Sequence, residues 1–156
     1  MPFWNYYVKP SRLLPLQEVS ESPCIRIWIS QSTSLDRVIC IQKTPDNTLN
    51  GELVIFGNTV RKKKLVYQYK IDKVQPVSGY SSFVKKISEI DVSIFKKLPE
   101  AELTLHQPYR FCLVEFMLDS KYNSFKFQLE ANPKNKDVKN FIDFLKSEFP
   151  EMDFRG

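Results

Sequence analysis

Apolar and polar residues alternate with period two through four successive runs of the chain. Residues 24–30 place Ile25, Ile27 and Ile29 on one face and Cys24, Arg26 and Trp28 on the other. Residues 37–43 set Ile39 and Ile41 against Val38 and Cys40. Residues 52–57 set Leu53 and Ile55 against Val54 and Phe56, and 64–71 set Leu65, Tyr67, Tyr69 and Ile71 against Val66, Gln68 and Lys70. This period, with β-branched and aromatic residues, predicts four strands. The links between them are turn tokens: the polar run 31–36, Thr44-Pro45-Asp46-Asn47, Asn50-Gly51, and Gly57-Asn58 before a basic run. Short links predict an antiparallel meander.

After Pro76 the period changes. Phe83, Ile87, Ile90 and Ile94 recur at helical spacing, with Ser78 or Ser81 able to cap the start, a weak point at Asp91-Val92-Ser93 and Pro99 as the stop. Residues 100–108 read as a linker. Residues 109–118 form the longest apolar strand, 119–121 a turn, and 122–130 an alternating strand with Phe125, Phe127 and Leu129 inward. Asn132-Pro133 is expected to open a last helix, which carries Val138, Phe141, Ile142, Leu145 and Phe149 on one stripe and stops at Pro150. The order is ββββαββα. The expected fold class is α+β: an antiparallel sheet of about six strands with two helices packed mainly on one face.

That architecture leaves a second sheet face carrying Cys24, Arg26, Trp28, Cys40 and Phe56, too apolar to stand in water uncovered. The segment 1–23 is irregular and opens with Phe3, Trp4, Tyr6 and Tyr7. It is expected to be an extended aromatic arm docked on a single domain of 24–156, with the region around Trp4 covering the second face. A homodimer or protein partner is the other cover this face can take. The length of 156 residues suits one such domain, and 42% hydrophobic with 26% charged residues excludes wholesale disorder.

Charge and candidate chemistry narrow the functional classes. The net charge of +5 is spread along the chain except for one dense run, Arg61-Lys62-Lys63-Lys64, expected to be a solvated turn able to contact an anion. Tyr67 and Tyr69 beside it come nearest to a base-stacking platform, but they share a face with Leu65 and Ile71 and are expected to be buried. Four glycines leave little material for Gly-rich phosphate loops, and no GxGxxG, GxxxxGK[ST], GxSxG, HExxH or EF-hand loop occurs. Cys24, Cys40 and Cys112 lie inside apolar runs without a CxxC and are expected to be small buried hydrophobes. With the single His106, they offer no ordinary zinc set and no Cys–His dyad. Glu115 interrupts an apolar strand and needs a partner such as Arg26 or Arg110 if buried. Trp28 beside Arg26 is a candidate interface anchor.

No cofactor and no metal are expected. No run reaches 18 apolar residues, and the first residues do not resemble a signal peptide, so the expected address is cytoplasmic, or the cell envelope if a leader preceded Met1. The expected function is non-enzymatic binding of a protein partner through a sheet face or edge, with Arg26, Trp28, Arg61, Lys62, Lys63 and Lys64 as the candidate partner-binding residues. The alternatives are a nucleic-acid or polyanion binder using residues 61–64, and an enzyme with an unfamiliar carboxylate site.

The run from Glu21 through Trp28, the Gly51-Glu52-Leu53 strand, Pro76-Val77-Ser78-Gly79-Tyr80-Ser81-Ser82-Phe83, the hairpin at Tyr122 and the closing helix resemble small bacterial α+β proteins, many from Bacteroidetes. Some of those are envelope lipoproteins and others are similar to immunity proteins that neutralise toxins. The chain departs from them in having Tyr80 where Trp is common and no lipobox Cys near Met1. The resemblance implies an α+β fold and, in its immunity-like branch, a protein partner. It assigns no functional residue.

Overall fold

The computed structural model describes residues 11–13, 15–16, 23–30, 35–96, 110–129 and 133–152. Six strands form one antiparallel sheet: β1 (Cys24–Ser30), β2 (Asp36–Lys43), β3 (Leu49–Arg61), β4 (Lys64–Lys73), β5 (Phe111–Leu118) and β6 (Lys121–Gln128). Their spatial order is β4-β3-β2-β1-β5-β6. The helices are α1 (Tyr80–Ser88), α2 (Val92–Lys96) and α3 (Lys136–Glu148). The α+β fold and the antiparallel sheet are as the hydrophobic pattern predicts.

The helices cover one face. There Ile25, Ile27, Ile29, Ile39, Ile41, Val114, Phe125 and Phe127 from the sheet meet Phe83, Ile87, Phe95, Phe141, Ile142 and Leu145 in one buried cluster. Asn135 caps α3 by accepting from the backbone N–H of Asp137 and Val138 at 2.9 and 3.1 Å. The start is thus three residues later than the Asn132-Pro133 token suggests. The single helix expected after Pro76 is two. Asp91 breaks it: its carboxylate accepts from the Ser93 backbone N–H at 3.0 Å and from the Ser93 hydroxyl at 2.6 Å. The break shifts the register, so Phe95 is buried while Ile94 is 36% exposed. Gly79, not a serine, is the N-cap of α1. The Ser78 hydroxyl instead donates to Glu148 at 2.5 Å, and Lys86 lies 3.5 Å from the same carboxylate, tying α1 to the end of α3.

Asn50-Gly51 is not a turn but part of β3, and the hairpin before it turns at 44–48, where Asn47 has a φ of 69°. Gly51 is there for a close approach. A Cβ at this position would stand 2.4 Å from the Val74 carbonyl oxygen. The Tyr80 hydroxyl fills the remaining space, accepting from Gly51 N–H at 3.1 Å and donating to Val74 O at 2.8 Å. This bond clamps α1 onto the β3–β4 end of the sheet. No helix among the described residues is long and apolar enough to cross a membrane.

Candidate interaction surface

The two groups of sequence-selected residues end in opposite environments. Arg26 and Trp28 are 2% and 1% exposed, so neither presents a surface, whereas 61–64 are exposed. The structure does not bring the two groups together.

The exposed group crowns a ribbon. β2 pairs with β3 only as far as Asp36 opposite Phe56, but β3 continues to Arg61 and pairs with β4 down to Arg61 opposite Lys64. Residues 57–61 and 64–68 therefore run past the body of the sheet as a two-stranded arm. Gly57, at a φ of 136°, sits where the arm leaves, a backbone state that L side chains avoid. Gly57-Asn58 is not a turn but part of β3; the turn lies within the basic run, as expected of it, at Lys62-Lys63, whose φ values of 49° and 62° match the primed turns that suit strand twist.

Along the arm Val60 faces Leu65, and both are 72% exposed. Tyr67 and Ile71 are 45% and 50% exposed, contrary to the burial their alternation implies. The reason is position. β4 is the edge strand, no described strand pairs with its outer side, and opposite Tyr67 its neighbour β3 has itself left the sheet, while Ile71 stands at the sheet's margin opposite Val54. Tyr69 is held against the body, with the Arg12 guanidinium 4.1 Å from its ring centroid and its hydroxyl donating to Ser11 O at 3.1 Å.

Asp36 stands at the root of the arm, opposite Phe56. Burial pushes its carboxyl from 3.8 up to about 6, against a lowering hydrogen bond from Ser30. As pH rises from about 4 to about 6 the unfolded chain gives up this proton before the folded one does, so this group lowers stability across that window and no further above it. Asp36→Asn keeps an acceptor and removes the cost. It is expected to be more stable than wild type by about 2 kcal/mol above pH 7, the difference closing below about pH 4. Urea melts at both pH values check this, and an equal effect at both would exclude burial of the charge as the cause.

The buried group belongs to a polar row on the second face. In register from one edge to the other stand Ser124, Glu115, Arg26, Cys40, Glu52 and Lys73. Glu115, 6% exposed, accepts from Trp28 Nε1 at 2.6 Å and from the Tyr122 hydroxyl at 2.7 Å, with Arg26 directly across from it. Burial and the neighbouring carboxylate push Tyr122 up to about 12, which keeps it a donor. On either side of the row, Trp28, Val38, Val54 and Phe56 form one apolar cluster, capped by Leu13, and Cys24, Cys40 and Leu16 form another, flanked by Met117 and Tyr122. Ser11, Arg12, Leu13 and Leu16 thus lie against this face. Phe3, Trp4, Tyr6 and Tyr7, expected to cover it, fall outside the described residues, as does His106. Tyr122, the second donor to Glu115, escaped sequence reasoning. Only its place opposite Met117, next along the strand pair, would have pointed to it.

Between α1, α2 and α3 lies an open groove of about 320 Å³, floored by Ile90, Phe95, Phe141 and Phe144 and rimmed by Glu89 and Asp91. Among the described residues, no cluster of three or more His, Cys, Asp or Glu is placed to hold a metal. Comparison with protein-family models, with curated proteins and with solved structures finds no match.

Proposed function

We propose that this protein acts by binding another protein, adding an extended, acidic segment of its partner to the open edge of β4. The observation that carries this reading is a strand edge that no described strand covers, beside exposed Leu65, Tyr67 and Ile71 and four consecutive cations at its tip. An edge supplies main-chain hydrogen bonds, alternate side chains supply specificity, and the charge selects the sign of the partner. A polyanion would use the cations but would gain little from the Val60–Leu65 pair, whose apolar surface favours a protein. A toxin domain held inactive by such binding is the partner that the resemblance to immunity-like proteins implies.

The test is a set of ten-residue peptides alternating Val or Ile with Glu, read by fluorescence anisotropy, beside single-stranded DNA and heparin. Saturable binding of the acidic peptides is expected, at least tenfold weaker after Arg61→Glu with Lys63→Glu, with urea stability changed by less than about 0.5 kcal/mol. No peptide binding, together with retention on heparin or DNA that vanishes with added salt, would replace this reading with the polyanion one. A concentration-dependent dimer dissolved by Leu65→Lys would assign the edge to a second copy of the chain.

A further inference from the structure

The groove between the three helices lies apart from the β4 edge. α2 forms one of its walls and packs on β6, at the opposite edge of the sheet, through Phe95 stacked on Phe125 at 4.3 Å. The floor is apolar, made of Ile90, Phe95, Phe141 and Phe144. The volume of about 320 Å³ stands at the small end of the ~300–1,000 Å³ typical of ligand pockets. That suits a single ring with a short chain rather than a partner helix, whose cylinder is ~10 Å across.

The charge at the rim is mostly of one sign. Glu89 and Asp91 stand where α1 gives way to α2, and Asp137 stands in the first turn of α3. Asp91 is engaged by Ser93, but among the described residues neither Glu89 nor Asp137 forms an ion pair. Lys86 is the one cation lining the groove among the described residues, and it is already held. Its Nζ lies 3.5 Å from Glu148 and 5.8 Å from the Phe144 ring centroid. These walls sort ligands by class. An anion meets carboxylates. A bare metal ion finds no cluster of three or more His, Cys, Asp or Glu among the described residues. A wholly apolar molecule covers the floor but gains nothing from the rim. A cation with an apolar body uses both, because an ammonium is attracted by carboxylates and by aromatic faces while its carbon skeleton lies on the floor.

We propose that this groove binds a small organic amine, a protonated ammonium on a skeleton of one ring or a short alkyl chain. The skeleton lies on Ile90, Phe95, Phe141 and Phe144, and the ammonium stays at the rim, toward Glu89 and Asp137. Both carboxylates are exposed, so they select the ligand more than they hold it, and burial of the skeleton supplies the affinity. The groove and the β4 edge belong to different parts of the molecule, so this binding does not depend on the capture of an acidic segment.

The test titrates the full chain with phenylbutylamine, phenylbutanol and phenylbutyrate, one skeleton with three head groups, and follows backbone amides and isoleucine methyls by NMR. Saturable shifts at Ile90, Ile94 and Asn140 are expected with the amine, at a Kd of about 1 mM or tighter. The alcohol should bind about fivefold to tenfold more weakly, and the carboxylate more weakly still. Glu89→Gln with Asp137→Asn should erase the preference for amine over alcohol and leave the affinity for the alcohol unchanged. Asn140→Trp, which fills the groove from an exposed position on α3, should remove binding of all three. Circular dichroism confirms that each variant is folded, and the wild-type comparison of head groups needs no variant. Equal affinity for amine and alcohol, shifts that do not saturate, shifts centred on residues 65–71, or a preference for the amine that survives Glu89→Gln with Asp137→Asn would overturn the proposal.

Discussion

Replacing Glu115 by leucine is expected to destabilise the protein by about 3–5 kcal/mol, the cost of removing one member of a buried charged set. Leucine fills much of the same space, so the loss is not one of packing. The carboxylate satisfies the Trp28 indole N–H at 2.6 Å and the Tyr122 hydroxyl at 2.7 Å, and it faces the buried Arg26 across the β1–β5 pair. Without it, two donors and a cation beneath Leu13 and Leu16 lose the anion that faces them. Glu115→Gln should cost less, about 1–3 kcal/mol, since an amide keeps one acceptor but turns a donor toward donors. The double variant Arg26→Met with Glu115→Leu should recover part of the loss, because the stranded charge has gone too. A coupling of about 1 kcal/mol or more in the cycle is expected, read from urea midpoints at constant slope. A Glu115→Leu variant within about 0.5 kcal/mol of wild type would show that the row is not held by its charges.

That row explains which parts of the molecule were legible in the sequence. Period two identified five of the strands, and β5, apolar on both faces, was read from its unbroken hydrophobic run. β1 and its two faces were read residue for residue. What alternation cannot say is the order of strands in space. Leu65, Tyr67 and Ile71 alternate as a core strand does, yet they are exposed because β4 is an edge and its hairpin outruns β2. The same gap hid the row. Arg26, Cys40 and Glu115 are scattered across 90 positions of sequence, and only the placement of β5 beside β1 sets them side by side. The turn in the basic run 61–64 was legible, but not how far its two strands outrun the sheet, and a real Asn50-Gly51 serves a close approach inside β3 instead of a turn. The helix break at Asp91 was visible as a weak point, but its consequence, Phe95 inward in place of Ile94, follows from the cap geometry.

Phe141 stands at the centre of a cluster of aromatic rings, and Phe141→Ala is expected to cost about 3–5 kcal/mol, as for other large-to-small changes in a packed interior. Its ring stands edge-on to Phe95, Phe125 and Phe127 at centroid distances of 5.7, 5.2 and 5.7 Å, and 5.9 Å from Phe144. These rings come from α2, β6 and α3 itself, so one side chain joins its own helix to the hairpin before it and to the more distant α2. The loss should not be uniform. α2 has five residues, too few to hold helical structure in isolation, and its buried anchor is Phe95, stacked on Phe125 at 4.3 Å. Removing the ring that wedges Phe95 in place should release α2 before the sheet. Phe141→Leu keeps most of the volume and loses only the ring contacts, so its cost should stay near about 1–2 kcal/mol. Amide exchange separates the two effects: in Phe141→Ala, protection of residues 92–96 should fall further than that of 25–29, whereas equal losses in both would mean that α2 and the sheet open as a single unit.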